Sequence, residues 1–209
     1  MAKAKPAAAR KRIIVGISGA SGAVYGIRLL ELLRQTDIET HLILTRSAQV
    51  TIALETERKV REVLELADVV YASADISASI SSGSFRTLGM IVAPCSMRSL
   101  AEIATGVTSS LLTRAADVTL KERRPLVLLV REAPFNLVHL KNMVAAAEAG
   151  AIIYPPAPAF YARPESLEQM IDHTIGRMLD LFDIELGVVK RWTRPARSAQ
   201  ELVEDEDKK

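Results

Sequence analysis

The stretch RIIVGISGASGAVYG, residues 12–26, frames the reading of the whole chain. It opens with an apolar, mostly β-branched run from Ile13 to Ile17, then breaks into Ser18, Gly19, Ala20, Ser21 and Gly22. Over 23–34, Ile27, Leu30 and Leu33 recur at helical spacing on one face. A buried strand, a Gly/Ser turn and an amphipathic helix thus follow in immediate succession. The glycines at 16, 19, 22 and 26 do not fit G-x-G-x-x-G, and the Lys-Ser/Thr pair of a P-loop is missing. Gly19 and Gly22 still let backbone come close to a ligand, and a helix N-terminus favours an anion. A tight turn with Ser21 as helix cap accounts for the same residues. On this loop alone, both readings stand.

Outward from the loop the pattern repeats. Apolar runs at 41–45, 90–93, 126–130 and 151–154 read as further strands. Helical spacing appears at 48–67, 99–104, 111–121, 137–149 and 164–185, the last opening on Pro164 and Glu165. Continuous apolar strands separated by helices predict a mainly parallel sheet covered on both faces, an α/β three-layer domain. With 209 residues, 49% of them hydrophobic, one domain over 12–192 is expected. Residues 1–11, MAKAKPAAARK, read as a flexible basic leader, and 193–209 as a polar tail. A formal net charge of +2 gives no argument for nucleic acid. No window approaches the roughly eighteen apolar residues of a membrane span. The single cysteine, Cys95, excludes an internal disulfide and suits a reducing cytoplasm. His41, His139 and His173 have no metal-ligand spacing.

Ligands of open parallel sheets bind outside the carboxyl ends of the strands. Here those ends lead into SGASGAVYG, TRSAQ, PCSMRSLAE, REAPFN and PPAPAFYARP, whereas connections at the opposite edge, RQTDIET and KERRP, are simply charged. Ser96, Arg98 and Ser99 open a helix in the same manner as the first loop, and Ser99 with Glu102 has capping-box spacing. Two such helix starts side by side suggest a phosphate cradle that uses no metal. Arg131 and Glu132 form a surface ion pair or, at a strand's carboxyl end, an anion holder and a proton carrier. Arg114 and Lys121, seven apart on one helix, share a face that reads as a solvated stripe. Cys95 reads as a buried, inert thiol.

Taken in order, GISGASGAVYG, ISSGSF, APCSMRSLAEIATG, RAADVTLKERRPLVLLVREAP, HLKNM, PPAPAFY and the closing RW resemble the UbiX/Pad-type flavin prenyltransferase family, over about 12–192. The resemblance implies a Rossmann-like flavoprotein, assembled as a homododecamer with active sites between subunits. It implies transfer of a dimethylallyl group from dimethylallyl monophosphate to N5 and C6 of reduced FMN, with release of phosphate and no metal. The prenylated FMN would serve UbiD-type decarboxylases, as in ubiquinone biosynthesis. Gly19, Ala20 and Ser21, Thr45, Ser96, Met97, Arg98, Ser99 and Arg131 would bind FMN. Tyr161, Arg177, Arg114, Lys121 and Trp192 would form the donor site, with Trp192 closing it. Ser21, Glu55, Lys121 and Glu132 would be catalytic, Glu132 as the proton-handling carboxylate. Thr45, Arg46 and the pair Ser109–Ser110 depart from the Ser, Lys and Asp-Asn that the family pattern leads one to expect. An FMN-dependent cysteine-type decarboxylase of the same fold would carry Asn-Met where PPAPAFY stands, and a catalytic His. A non-catalytic flavin-binding subunit would lose Glu132, Lys121 or Arg177, and all three are present.

Overall fold

The computed structural model describes residues 10–193. Six strands, β1 (Arg12–Ile17), β2 (Glu39–Leu44), β3 (Val69–Tyr71), β4 (Met90–Cys95), β5 (Leu126–Val130) and β6 (Ala151–Ile153), form one sheet. Every neighbouring pair is parallel, in the order β3-β2-β1-β4-β5-β6. The order reverses between β1 and β4, so the ligand crevice belongs at the carboxyl ends of those two strands.

Alternate strand residues feed two cores. Ile13, Val15, Ile17, Leu42, Ile91 and Leu129 pack with α1 (Ala23–Leu33), α2 (Arg46–Glu55), α3 (Val60–Leu64) and α7 (Leu167–Leu179). Ile14, Met90, Val92, Leu126 and Leu128 pack with α4 (Met97–Thr105), α5 (Leu111–Lys121) and α6 (Leu137–Glu148) on the other face. Burial on both faces is why these strands read as continuous apolar runs rather than as alternation.

The expected three-layer parallel architecture is the one observed, with local differences. The helix expected over 48–67 is two helices: Thr56 turns extended and its hydroxyl caps Ile52 O at 2.8 Å, ending α2 at Glu55. β3 has no counterpart in the sequence reading, because a three-residue edge strand is too short to show a period. The last helix is shorter than 164–185: Ser166 caps it through the N–H of Gln169, and a 3-10 turn, Asp180–Phe182, ends it. Arg10 belongs to the folded domain rather than to a flexible leader, because its guanidinium donates to Asp37 O at 3.0 Å and to Asp68 at 3.2 Å. The rest of the leader and of the tail, 1–9 and 194–209, lies outside the described residues.

Candidate active site

Ser18 is buried where β1 ends. Its hydroxyl donates to Pro94 O at 2.8 Å and accepts the N–H of Ser96 at 2.8 Å. One side chain thus joins the carboxyl ends of β1 and β4 where the strand order reverses. The chain then runs through Gly19, whose place a larger residue could not take: a Cβ there would lie 2.3 Å from Ser47 Cβ at the start of α2. Gly22, at φ 97°, adopts the left-handed turn that starts α1.

Sequence spacing offers Ser21 as the cap of α1; the structure gives that position to Gly22 and the capping role to a carboxylate from another helix. Glu55, the last residue of α2, accepts the N–H of Gly22 at 2.8 Å and of Ala23 at 3.2 Å. Partial burial pushes the Glu55 carboxyl up, but the Ser21 hydroxyl, those two N–H groups and the Arg131 guanidinium outweigh it and hold it below the usual carboxylate range. Ser21, Glu55 and Arg131 are therefore neighbours, although they come from β1–α1, α2 and the end of β5. Arg131 has no ion-pair partner among the described residues, so the surface pair with Glu132 is not formed. Glu132 accepts the N–H of Ala133 at 3.0 Å instead.

A cavity of about 490 Å³ opens at the same sheet edge, lined by Thr45, Ser47, Ser96, Arg98, Ser99 and Ser110 among others. Three helices point their N-termini at it. Thr45 caps α2 through Ala48 N, Ser96 caps α4 through Ser99 N, and Ser110 caps α5 through Thr113 N. Exposed N–H ends, two arginines (Arg46 and Arg98) and a ring of hydroxyls fit a phosphate-bearing cofactor. The capping-box reading of Ser99 with Glu102 does not hold. Ser99 lies one turn inside α4, and Glu102 binds Arg98 Nε at 2.9 Å and the Ser109 hydroxyl at 2.6 Å. Ser109 and Ser110 thus face the cavity, Ser110 as helix cap and Ser109 as a tie to α4. Met97 opens α4 beside them, and Ala20 is buried in the first loop.

A second group forms beyond β6. Tyr161 lies in the 3-10 turn Phe160–Ala162, its hydroxyl 3.5 Å from His173 Nε2. The Trp192 ring meets the Tyr161 ring edge-on, centroids 5.5 Å apart. Arg177 projects from α7 and pairs with Asp180 at 2.6 Å. The family resemblance points to Tyr161, Arg177 and Trp192, but not to His173 or Asp180. Their spacing from Tyr161 and Arg191 in sequence carries no signal. Among the described residues no hydrogen bond or ion pair joins this group to the first.

Arg114 and Lys121 are not brought to either group within one chain. α5 starts at the cavity and runs about 16 Å, so Lys121 reaches the opposite sheet edge, where it pairs with Glu122 at 2.6 Å and lies beside Gly83. Arg114 pairs with Asp117 at 2.6 Å. Cys95 is fully buried, and burial pushes its thiol up to about 12, as an inert core residue requires. Among the described residues no cluster of His, Cys, Asp and Glu has the makings of a metal site, and no helix is long and apolar enough to cross a membrane.

The flavoprotein family model matches residues 2–193. Flavin prenyltransferase UbiX of Escherichia coli K12 is 59% identical over 185 residues, covering 87% of this chain and 98% of that protein. Among solved structures, AnUbiX (PadA1) in complex with FMN and dimethylallyl pyrophosphate superimposes with a TM-score of 0.87 at 49% identity, over 90% of this chain and all of that one. A dodecameric FMN-dependent UbiX-like decarboxylase from Escherichia coli O157:H7 gives 0.85 at 48% identity, over 88% of this chain and all of that one. A single parallel sheet with capped helix starts gathered at the switch point, matched at this level over nearly the whole chain, places the protein among the flavoproteins and, within them, in the UbiX family of flavin prenyltransferases.

Proposed function

We propose that this chain joins the dimethylallyl group of dimethylallyl monophosphate to N5 and C6 of reduced FMN, releases phosphate, and supplies prenylated FMN to a UbiD-type decarboxylase. The observation that carries the proposal is the ionised Glu55 held against Ser21, the start of α1 and Arg131 at the switch point, next to a cavity built for a phosphate-bearing cofactor. Bound reduced FMN supplies the nucleophilic atoms that accept the prenyl group. The chain's own residues do the rest. The N-termini of α2, α4 and α5, with Arg98, hold the flavin's charged end. Glu55 fixes the Ser21 hydroxyl toward the reacting face. Glu132, at the end of β5, takes part in moving the proton released from flavin C6. Tyr161 and Arg177 bind the donor's phosphate, whose charge grows as the allylic C–O bond breaks. Trp192 walls the allylic fragment from water.

Arg114 and Lys121 add positive charge from a neighbouring copy. A homododecamer with sites between subunits accounts for Lys121 lying at the far end of α5 from the cavity of its own chain and for Arg114 pairing with Asp117 rather than lining that cavity, and the dodecameric relative supports it. The cytoplasm is the compartment this reading assigns, in keeping with a single buried thiol.

Anaerobic incubation with FMN, dithionite and dimethylallyl monophosphate, followed by the mass of the bound flavin, tests the reading. A gain of one prenyl unit with free phosphate is the expected result. Unchanged FMN with both dimethylallyl monophosphate and the diphosphate as donor would overturn it.

A further inference from the structure

We propose that Asp180 is a positioning residue of the donor site: its one carboxylate fixes Arg177 for the donor's phosphate and, through Arg191, seats Trp192 on Tyr161. The inference rests on the prenyl-transfer reading and adds a residue to it.

Two guanidinium groups converge on this carboxylate. Arg177 Nη1 reaches Asp180 Oδ2 at 2.6 Å. Arg191 binds both oxygens, Nη1 to Oδ2 at 2.5 Å and Nη2 to Oδ1 at 2.7 Å, and adds Glu185 at 3.2 Å. The Arg177–Asp180 contact taken alone is an ordinary i,i+3 pair at a helix end. Arg191 makes it more than that, because the bidentate fork anchors a segment with no regular secondary structure at one point and in one orientation.

The Trp192 ring itself has little else to hold it there. Trp192 is 70% exposed, so its edge contact with Tyr161 buries too little surface to fix the ring. The chain just before it lies flat against α7 at Gly176, where a Cβ would come within 2.5 Å of Val189 and 2.8 Å of Val188. Flat packing there and the ion pair at Asp180 together direct residue 192 back toward Tyr161. Arg177 keeps its Nε and second Nη without a partner among the described residues, so donors remain for a phosphate while Asp180 sets the plane of the group. Arg191 holds Asp180 below the usual carboxylate range, with Arg177 adding to the effect against partial burial, so the anchor is ionised at neutral pH.

Trp192 is the chain's one tryptophan, so its emission reports the anchor without reference to chemistry. Asp180→Asn and Arg191→Ala are compared with the unaltered protein as assembled with FMN. Acrylamide quenching of Trp192 is measured alongside kcat and KM for dimethylallyl monophosphate. In Asp180→Asn, quenching rises and KM rises about tenfold, the loss of one charge-assisted hydrogen bond, while kcat changes less and FMN affinity is unchanged. In Arg191→Ala, which keeps the Arg177 pair, quenching rises equally and KM rises less. Asp180→Glu recovers part of both. Unchanged quenching in both variants, or unchanged KM in Asp180→Asn, overturns the inference. If Asp180→Asn does not fold, Arg191→Ala decides on quenching alone. Absence of prenyl transfer in the unaltered protein is a different failure: it removes the prenyl reading, and with it the role of Arg177 toward phosphate, whatever Trp192 reports.

Discussion

Glu55 shows how much one side chain does at the switch point. It closes the start of α1, and the Ser21 hydroxyl and the Arg131 guanidinium help hold its carboxyl below the usual carboxylate range. Replacing it with Ala leaves two N–H groups at the helix start without their acceptor, at a cost of about 1 kcal/mol, measurable by denaturant unfolding. Glu55→Gln keeps an acceptor and so most of that stability, yet removes the charge. Prenyl transfer is expected to fall by about a hundredfold or more, with FMN still bound in stoichiometric amount. Because the folded carboxyl titrates below its unfolded value of about 4.3, its stabilisation is complete above that value. It fades as pH falls through the lower folded value, and Glu55→Gln flattens that limb of the stability–pH curve. The resemblance gave Glu55 its place at the site. Spacing could not have done so, since 33 positions separate it from Gly22. Thr45 was read as the end of a strand and owed its place at the site to the resemblance, whereas Ser96 was legible, because a hydroxyl directly after a strand and before a helix has few other uses. Ser99 misled for the same reason: capping-box spacing was present one turn too late, and Glu102 had other partners.

At the level of elements, a strand's carboxyl end carries information because the next helix must start there. Five of the six strands, and the helix starts at 23 and 111, were readable from apolar period alone. The break between α2 and α3 was not, since Thr56, Glu57 and Arg58 are ordinary helix residues and only tertiary demand turns Thr56 extended. Yet that break is what makes Glu55 terminal and turns its carboxylate toward α1. Ser18 is the other element-scale device. Ser18→Ala leaves the N–H of Ser96 without its acceptor in a partly buried position and should cost about 1 kcal/mol, read from the urea midpoint at unchanged slope. The same variant loosens the start of α4 and is expected to weaken FMN binding together with stability, whereas Ser18→Thr keeps the hydroxyl and recovers part of both.

The whole molecule is arranged with its charged working parts at opposite sheet edges. α5 runs from one to the other, with Ser110 at the cavity and exposed Lys121 at the far end. Lys121→Ala is expected to change stability by less than about 0.5 kcal/mol, as for an exposed side chain. In the proposed assembly it abolishes most prenyl transfer all the same. Mixing separately inactive Lys121→Ala and Glu132→Gln subunits after dissociation and reassembly should restore part of the activity, because some sites then receive both intact residues. No recovery would mean that each chain works alone. Phe135, Leu137, Val138, Leu140 and Val144, all exposed around the start of α6, give the assembly an apolar surface to cover. The join at Ser18 has a further consequence. The sheet's two halves, β1 with β2 and β3, and β4 with β5 and β6, meet along one strand pair only. The two cores bind the halves along their length, so what is left free to vary in width is the crevice at the carboxyl ends. Pinned at its very mouth by the Ser18 hydroxyl and by the Ser18 N–H, which donates to Pro94 O at 3.2 Å, it keeps a constant gauge, and the amide of Ser96 should be among the slower in the chain to exchange its hydrogen with water.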